Sequence, residues 1–303
     1  VSAKPRIGFA GIGLMGHGAA KNLVDKGFPL AVLAHRNRAP AEDLLARGAG
    51  EATSAADLAM ASDILFLCLP SSVEVEAIAL GPGGIAAHGK AGLIVVDMTT
   101  ADPNSTLRVA AALADRGIRM VDSPLGRTPA DAEAGRLNAM VGGADADVAA
   151  VRPALEAFCE NVFHVGPLGA GHTIKLVNNY LALANAAVVA EGIVAAARAG
   201  VDLAALRDVV MAGGAASAVF GVHMKAIVDR DPKVGAFAIA NARKDVDYFV
   251  RMTGSTPGVG AMAASALQTF NLLCALGHGA QHMRRFTPLL AALNGVALEP
   301  AEG

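Results

Sequence analysis

Apolar and polar residues run in blocks along the first half of the chain, and the blocks change period. Short continuous apolar runs stand at "RIGFAG" (6–11), "PLAVLAH" (29–35), "DILFLCLP" (63–70), "LIVVDMTT" (93–100), "RMVDSPLG" (119–126) and "LNAMVGG" (137–143). Each is too short and too uniformly apolar for a half-exposed strand, so each predicts a strand buried on both faces. Between them lie patterns of helical period: "LMGHGAAKNLVDKG" (14–27), "AEDLLARG" (41–48) and "NSTLRVAAALADRG" (104–117), the last with Asn104 or Ser105 as N-cap. Strand–helix alternation of this kind predicts a parallel sheet covered by helices on both faces.

The pattern changes near residue 165. "FHVGPLGAGH" (163–172) holds Gly and Pro and reads as a connector. A long apolar helical stretch follows (169–200), then helical patterns with glycine stops at 203–214, 237–254, 261–277 and 286–295, and no convincing strand. The expected organisation is an α/β domain over 1–165 and an all-helical domain over 166–303, joined by the long helix. The chain contains no internal repeat.

Composition narrows this picture. With 303 residues and 53% hydrophobic content, the chain can fill two domain cores. Aromatic residues make up 4% and Trp is absent, so the packing relies on aliphatic and small side chains. A net charge of −2 with no basic or acidic tract gives no reason to expect nucleic acid or a membrane surface as partner. Cys68, Cys159 and Cys274 are odd in number and far apart, which fits reduced thiols in a cytoplasmic protein rather than a disulfide framework or a metal site. No signal peptide is expected from Lys4, Arg6 and the short apolar run behind them. Asn185, Glu191 and Arg198 interrupt the long apolar helix, which therefore reads as a core helix rather than a membrane span. The small residues of the helical half suggest a homodimer or homotetramer.

The first strand runs directly into "GFAGIGLMG". This sets Gly11, Gly13 and Gly16 in G-x-G-x-x-G spacing at the head of a helix, with Leu14 and Met15 inside the loop. The first glycine allows a tight turn, the second lets backbone approach a pyrophosphate, and the third lets the helix pack on the sheet. In this strand–turn–helix context the motif predicts a Rossmann-type dinucleotide-binding domain. An acidic residue about 20 positions on would accept from the ribose of NAD. Here the second strand ends in His35, Arg36, Asn37 and Arg38, with no carboxylate. Guanidinium groups there suit a 2′-phosphate, so NADP is favoured over NAD, with no metal.

The long helix opens with Lys175, Asn178 and Asn179 at i, i+3 and i+4, three polar side chains on one face. A core helix has no need of them. Together with "GFAGIGLMGHGAAKNL", "CLP" (68–70), "VVDMTT" (95–100), "VDSPLGRTP" (121–129) and "ARKDVDYFV" (242–250), the stretch "GAGHTIKLVNNYL" (169–181) resembles the β-hydroxyacid dehydrogenases, the group of 3-hydroxyisobutyrate dehydrogenase. The resemblance covers nearly the whole chain. It implies an active site at an interdomain cleft with Lys175 as general acid/base, giving a proton to the carbonyl oxygen as hydride reaches the carbon. A lysine near its ordinary pKa of about 10.4 is a sluggish acid at neutral pH. Apolar surroundings, and Arg127 if it shares the pocket, would lower that value. The resemblance also implies substrate contacts from Asn178 and Asn179. It further implies cofactor contacts from Leu69, Pro70, Thr100 and Lys244, with Asp245 a structural partner.

Most members of the family carry D-A-P-V-S-G-G where this chain has "DSPLGRT". Gly126, Arg127 and Thr128 thus occupy the substrate-binding positions. The "GRT" form looks like the branch of sulfolactaldehyde and succinic semialdehyde reductases. Arg127 could grip a carboxylate or sulfonate, and Thr128 could add a hydroxyl donor. The expected activity is interconversion of a small anionic aldehyde and its hydroxy acid. The alternatives are an imine reductase, whose members typically lack a lysine at position 175, and a non-catalytic NADP-binding module.

Overall fold

The computed structural model describes residues 3–255 and 260–298. The end of the expected 166–303 domain and a short stretch inside it lie outside the described residues. The chain divides into two compact units, 1–175 and 176–303.

The first unit is built on a sheet. Its strands are β1 (Ile7–Ala10), β2 (Leu30–Leu33), β3 (Gly50–Ala52), β4 (Ile64–Leu67), β5 (Ile94–Asp97), β6 (Arg119–Asp122), β7 (Leu125–Gly126), β8 (Leu137–Gly142) and β9 (Cys159–Gly166). The order is β3-β2-β1-β4-β5-β6-β8-β7, with β9 pairing to β8. From β3 to β6 every pairing is parallel; β8 then runs antiparallel to β6 and β7. The order reverses at β1/β4, and in such folds ligands bind beyond the carboxyl ends of strands at the reversal. β1 and β4 are buried along their whole length, as the uninterrupted apolar runs require.

Eight helices cover this sheet: α1 (Gly16–Asp25), α2 (Ala39–Ala46), α3 (Ala55–Ala61), α4 (Ser72–Leu80), α5 (Ile85–His88), α6 (Pro103–Ala114), α7 (Pro129–Glu133) and α8 (Asp145–Leu155). They enclose two apolar clusters. One is centred on Phe9, Leu23, Phe66 and Phe158, the other on Leu58, Leu67, Val95 and Leu113.

α9 (Ala170–Arg198) carries the chain from the first unit into the second. The second unit contains α10 (Leu203–Met211), α11 (Ala218–Ile227), α12 (Ile239–Gly254), α13 (Ala261–Ala275) and α14 (Phe286–Leu293). Its core joins Ala186, Ala190 and Val194 of α9 to Val246, Phe270 and Phe286. Among the described residues no strand follows β9. α9 is long and apolar enough by composition to cross a membrane, and part of its surface is buried in the core of the second unit.

Two local expectations need correction. α6 is capped by Asp102, whose carboxylate accepts from Asn104 N at 2.9 Å, and not by Asn104 or Ser105. Pro103 explains the choice, since proline belongs at the first helical position and pushes the cap one residue earlier. The stretch read as a connector from 163 is strand as far as Gly166, because β8 supplies a partner from Cys159 onward. Only Pro167, Leu168 and Gly169 separate β9 from α9.

Candidate active site

The glycine loop connects β1 to α1 at the reversal of strand order. Gly11 has φ +95°, and a Cβ there would lie 2.2 Å from the Cys68 carbonyl oxygen. A Cβ at Gly16 would lie 2.0 Å from the Gly11 carbonyl oxygen. Both positions therefore require glycine for the turn itself. Gly13 differs, because a Cβ there would meet nothing within 4 Å. That open face is what close approach of a phosphate to backbone demands. Met15 caps α1 without a side-chain hydrogen bond, so no side chain competes for the first-turn N–H groups. Leu14 is exposed at the loop tip. The loop thus fits a dinucleotide. Across the reversal, Leu69 and Pro70 follow β4, and Leu69 N donates to the Thr99 hydroxyl at 3.0 Å. Thr100, half-buried, follows Thr99 after β5.

The residues behind β2 are not equivalent. Arg38 makes a two-pronged ion pair with Glu51, at 2.9 and 3.0 Å. Asn37 Oδ1 accepts from Ala39 N at the start of α2. Both thus have local partners, and the Arg38–Glu51 pair is partly exposed. Arg36 is exposed.

Lys175 lies on the second turn of α9. Its Nζ donates to the Leu125 carbonyl oxygen at 2.7 Å, which holds the ammonium against β7. The first turn of α9 is anchored by a buried polar cluster that sequence reasoning missed, Asp122, His172 and Thr106, with Asp97 and Ser123 buried beside them, all at most 2% exposed. Asp122 Oδ1 accepts from Gly169 N at 2.7 Å and Oδ2 from His172 N at 2.6 Å. His172 Nδ1 lies 2.8 Å from the Thr106 hydroxyl. Burial pushes the Asp97 carboxyl above the ordinary carboxylate range. The available signal was a pair of aspartates ending two strands inside otherwise apolar runs.

The "GRT" turn behaves differently from expectation. Arg127 has φ +77°, a conformation that favours glycine. Its guanidinium donates to the Arg136 carbonyl oxygen at 2.6 Å and pairs with Glu160. It is therefore directed at β9 and not at Lys175, and the expected lowering of the lysine pKa by Arg127 lacks its geometric basis. Thr128 is the N-cap of α7, in a capping box with Asp131, and its hydroxyl donates to Asp131 at 2.7 Å. It does not supply the expected substrate donor. Gly126 is paired with Asn138 in the β7–β8 ladder.

α1 and α7, the helices behind the two turns, pack against each other. His17 Nδ1 lies 2.7 Å from Glu133, and Asn22 Nδ2 donates to the Ala132 carbonyl oxygen at 3.0 Å. Gly18 permits this approach, since a Cβ there would stand 2.5 Å from the Ala132 backbone.

In the second unit, Asn179 donates to Asp245 Oδ2 at 2.7 Å, and Lys244 Nζ is 3.0 Å from Asp245 Oδ1. Lys244 also stands over the Tyr248 ring at 5.2 Å. Asp245 is buried and ties these groups together, as a structural partner should. Asn178 is exposed, with Asn179 Oδ1 at 3.3 Å. A shallow hollow of about 580 Å³ beside Gly143 and His164 shares no lining residue with any of these groups.

Residues 6–166 match the family described as the NAD binding domain of 6-phosphogluconate dehydrogenase. Residues 169–289 match that described as NAD-binding of NADP-dependent 3-hydroxyisobutyrate dehydrogenase. The 2-(hydroxymethyl)glutarate dehydrogenase of Eubacterium barkeri is 32% identical over 97% of both chains. The chain belongs to the β-hydroxyacid dehydrogenase family. Another relative, the NAD-dependent L-serine dehydrogenase of Pseudomonas aeruginosa, is 32% identical over 90% of this chain and 93% of that one. The fold matches the 3-hydroxyisobutyrate dehydrogenase of Mycobacterium tuberculosis with a TM-score of 0.84 at 22% identity, over 95% of this chain and 99% of that one. Membership brings a nicotinamide cofactor, and the open Gly13 face fits it.

Proposed function

We propose that this member of the family interconverts a small anionic aldehyde and its hydroxy acid, with Lys175 as general acid/base. The observation that carries the reading is the Lys175 ammonium fixed at 2.7 Å on the Leu125 carbonyl oxygen, just past the carboxyl end of β6. When bound, the nicotinamide supplies or accepts hydride. Lys175 gives a proton to the carbonyl oxygen as that carbon is reduced, and recovers it from water. In the reverse direction the neutral amine takes the hydroxyl proton. Leu125 accepts one of the ammonium's three N–H bonds and so orients the group.

The two relatives are named as dehydrogenases of 2-(hydroxymethyl)glutarate and of L-serine, both carboxylic acids bearing a hydroxyl. An acid group on the substrate is therefore part of the reading, and Arg127 is its partner here. The Arg127–Glu160 pair is partly exposed, with side-chain exposures of 31% and 51%. Pairs of that kind contribute only about 0–1 kcal/mol, so a substrate carboxylate or sulfonate can replace Glu160. NADP is the favoured cofactor, supported by the lack of a carboxylate over residues 34–38 and by the exposed Arg36. Ile174, Val177, Leu181 and Val188 are exposed at helical spacing on α9, which supports a homo-oligomer.

The test is an aldehyde panel (succinic semialdehyde, sulfolactaldehyde, methylmalonate semialdehyde, glyoxylate, tartronate semialdehyde) assayed with NADH and NADPH. Lys175→Ala should lower kcat on the preferred aldehyde by about two to four powers of ten, the range of general acid catalysis, with cofactor affinity little changed. Near-wild-type turnover in the mutant at saturation removes Lys175 from the mechanism.

A further inference from the structure

We propose that Asp122 is a positioning residue for Lys175, acting through the first turn of α9. The proposal rests on the reading of Lys175 as the proton donor. Asp122 is wholly buried, and its two carboxylate oxygens each take a different backbone N–H of α9 and its lead-in, Gly169 N at 2.7 Å and His172 N at 2.6 Å. Lys175 follows His172 by three residues, a turn further along the same helix. Leu125, whose carbonyl receives the lysine, follows Asp122 by three residues along the chain. One short segment, 122–125, therefore grips the helix at its start and receives its functional side chain a turn later. Displacing the grip displaces the ammonium.

The space around the carboxylate is made for it. A Cβ at Gly142 would lie 2.4 Å from Asp122 Oδ1. A Cβ at Gly171 would lie 2.9 Å from Asp122 Oδ2 and 2.2 Å from the Met140 carbonyl oxygen. Neither glycine has a positive φ, so it is room and not backbone conformation that these positions need. His172 adds a second tie. The Thr106 hydroxyl donates to the Asp102 carbonyl oxygen at 3.2 Å, which leaves its lone pair to accept from His172 Nδ1–H at 2.8 Å. α6 thus holds the same turn that Asp122 holds from β6. A buried apolar residue at 122 would fill the volume and leave two backbone N–H groups, of Gly169 and His172, without this partner, so packing alone does not explain the carboxylate.

Asn in place of Asp122 keeps the shape but offers one oxygen and one amide. One of the two backbone N–H groups then faces a donor, and α9 must shift. A displacement of about 1 Å at a catalytic group costs up to about a hundredfold in rate. The experiment is a double-mutant cycle of Asp122→Asn and Lys175→Ala, on the panel aldehyde that wild type reduces fastest, with melting temperature and cofactor affinity measured in parallel. Asp122→Asn should lower kcat about ten- to a hundredfold with cofactor affinity within about twofold, and should move the alkaline limb of the kcat–pH profile. In the Lys175→Ala background it should cost less than about threefold, because the group it positions is gone. An equal fold loss in both backgrounds overturns the proposal. If Asp122→Asn does not fold, Thr106→Val, which removes the His172 tie together with the Thr106 bond to the Asp102 carbonyl oxygen, is taken through the same cycle as a test of the same turn's grip on Lys175, with the same two outcomes. Failure of the underlying reading shows separately, as a Lys175→Ala single mutant that turns over like wild type.

Discussion

Two turns at strand ends of the same sheet lead into short stretches of helix, and they have opposite chemistry. The glycine loop, 11–16, enters α1 with no side-chain cap and an open Gly13 face. The "GRT" turn, 126–128, enters α7 with its N-terminus closed by the Thr128–Asp131 capping box and its guanidinium latched to Glu160. A helix start with uncapped N–H groups is ready for an anion; one whose N–H groups are already taken by its own Thr and Asp is not. The two turns have different means of meeting negative charge. The first uses backbone, which is fixed by the fold. The second can use only the Arg127 side chain, which must leave its present partner to act. Cofactor binding should therefore depend on backbone space, and substrate binding on an exchange of ion pairs.

The largest expected effect breaks the first half of this comparison. Gly13→Val adds a side chain where a Cβ meets nothing within 4 Å, so folding should tolerate it and the melting temperature should stay close to wild type. The phosphates would lose the close backbone approach. Forfeiting charge-assisted hydrogen bonds worth about 1.5–3 kcal/mol each should weaken cofactor binding at least about a hundredfold by titration. Gly16→Ala is the contrast: its methyl would strike the Gly11 carbonyl oxygen at 2.0 Å, and the loss should appear in stability. Similar cofactor affinity in Gly13→Val and wild type would show that the open face is not where phosphate sits.

Next in size is Arg127→Ala. If the guanidinium passes from Glu160 to the substrate acid, KM for anionic aldehydes should rise about ten- to 150-fold, the cost of losing a charged hydrogen bond in a shielded site. KM for a neutral aldehyde of equal length should hardly move. Equal losses on both substrates would confine Arg127 to the turn. The protein tolerates a non-glycine residue at φ +77° there, a conformation that costs about 1–2 kcal/mol for a side-chain-bearing residue. That cost for an arginine at a turn, where an Asn or Gly is easier, is consistent with a role for the charge.

The buried strands and the glycine loop were legible because they rest on local rules. Uniform apolar runs such as "ILFL" and "IVVD" are buried whatever else the chain does, and the loop's spacing is set by backbone geometry. The partners of charged side chains were not legible. Glu160 reaches Arg127 only because β9 pairs with β8, and Glu51 reaches Arg38 only because β3 pairs with β2. Both pairings are tertiary, and no periodicity announces them. Asp122 was hidden for a related reason: it reads as the end of a strand motif, while its role depends on α9 arriving 47 residues later to place Gly169 N against it.

The Arg38–Glu51 pair bears on the third prediction. If a 2′-phosphate binds behind β2, Arg36 can meet it without breaking the Arg38–Glu51 pair. Arg36→Ala should lower kcat/KM for NADPH by about tenfold, the scale of one exposed-to-intermediate charged contact, and leave NADH nearly unchanged. If wild type already prefers NADH tenfold, the lack of a carboxylate behind β2 does not decide the cofactor.

The smallest effect is the sharpest test of the latch. Glu160 competes with substrate for Arg127, so removing its charge should help the substrate rather than harm it. Glu160→Gln keeps the size of the side chain and its place on β9 but withdraws the ionic partner. Since a partly exposed pair contributes about 0–1 kcal/mol, KM for an anionic aldehyde should fall by up to about fivefold. The gain should shrink as salt is raised, because screening already weakens the competing pair in wild type. A neutral aldehyde should show no change in either protein. A rise in KM for the anionic substrate would mean that Glu160 holds Arg127 in its working position, making the pair part of the binding site instead of a competitor to it. The sign of the Glu160→Gln effect separates the two cases, and combining it with Arg127→Ala checks that Glu160 acts through Arg127 at all: the double mutant should then match Arg127→Ala alone.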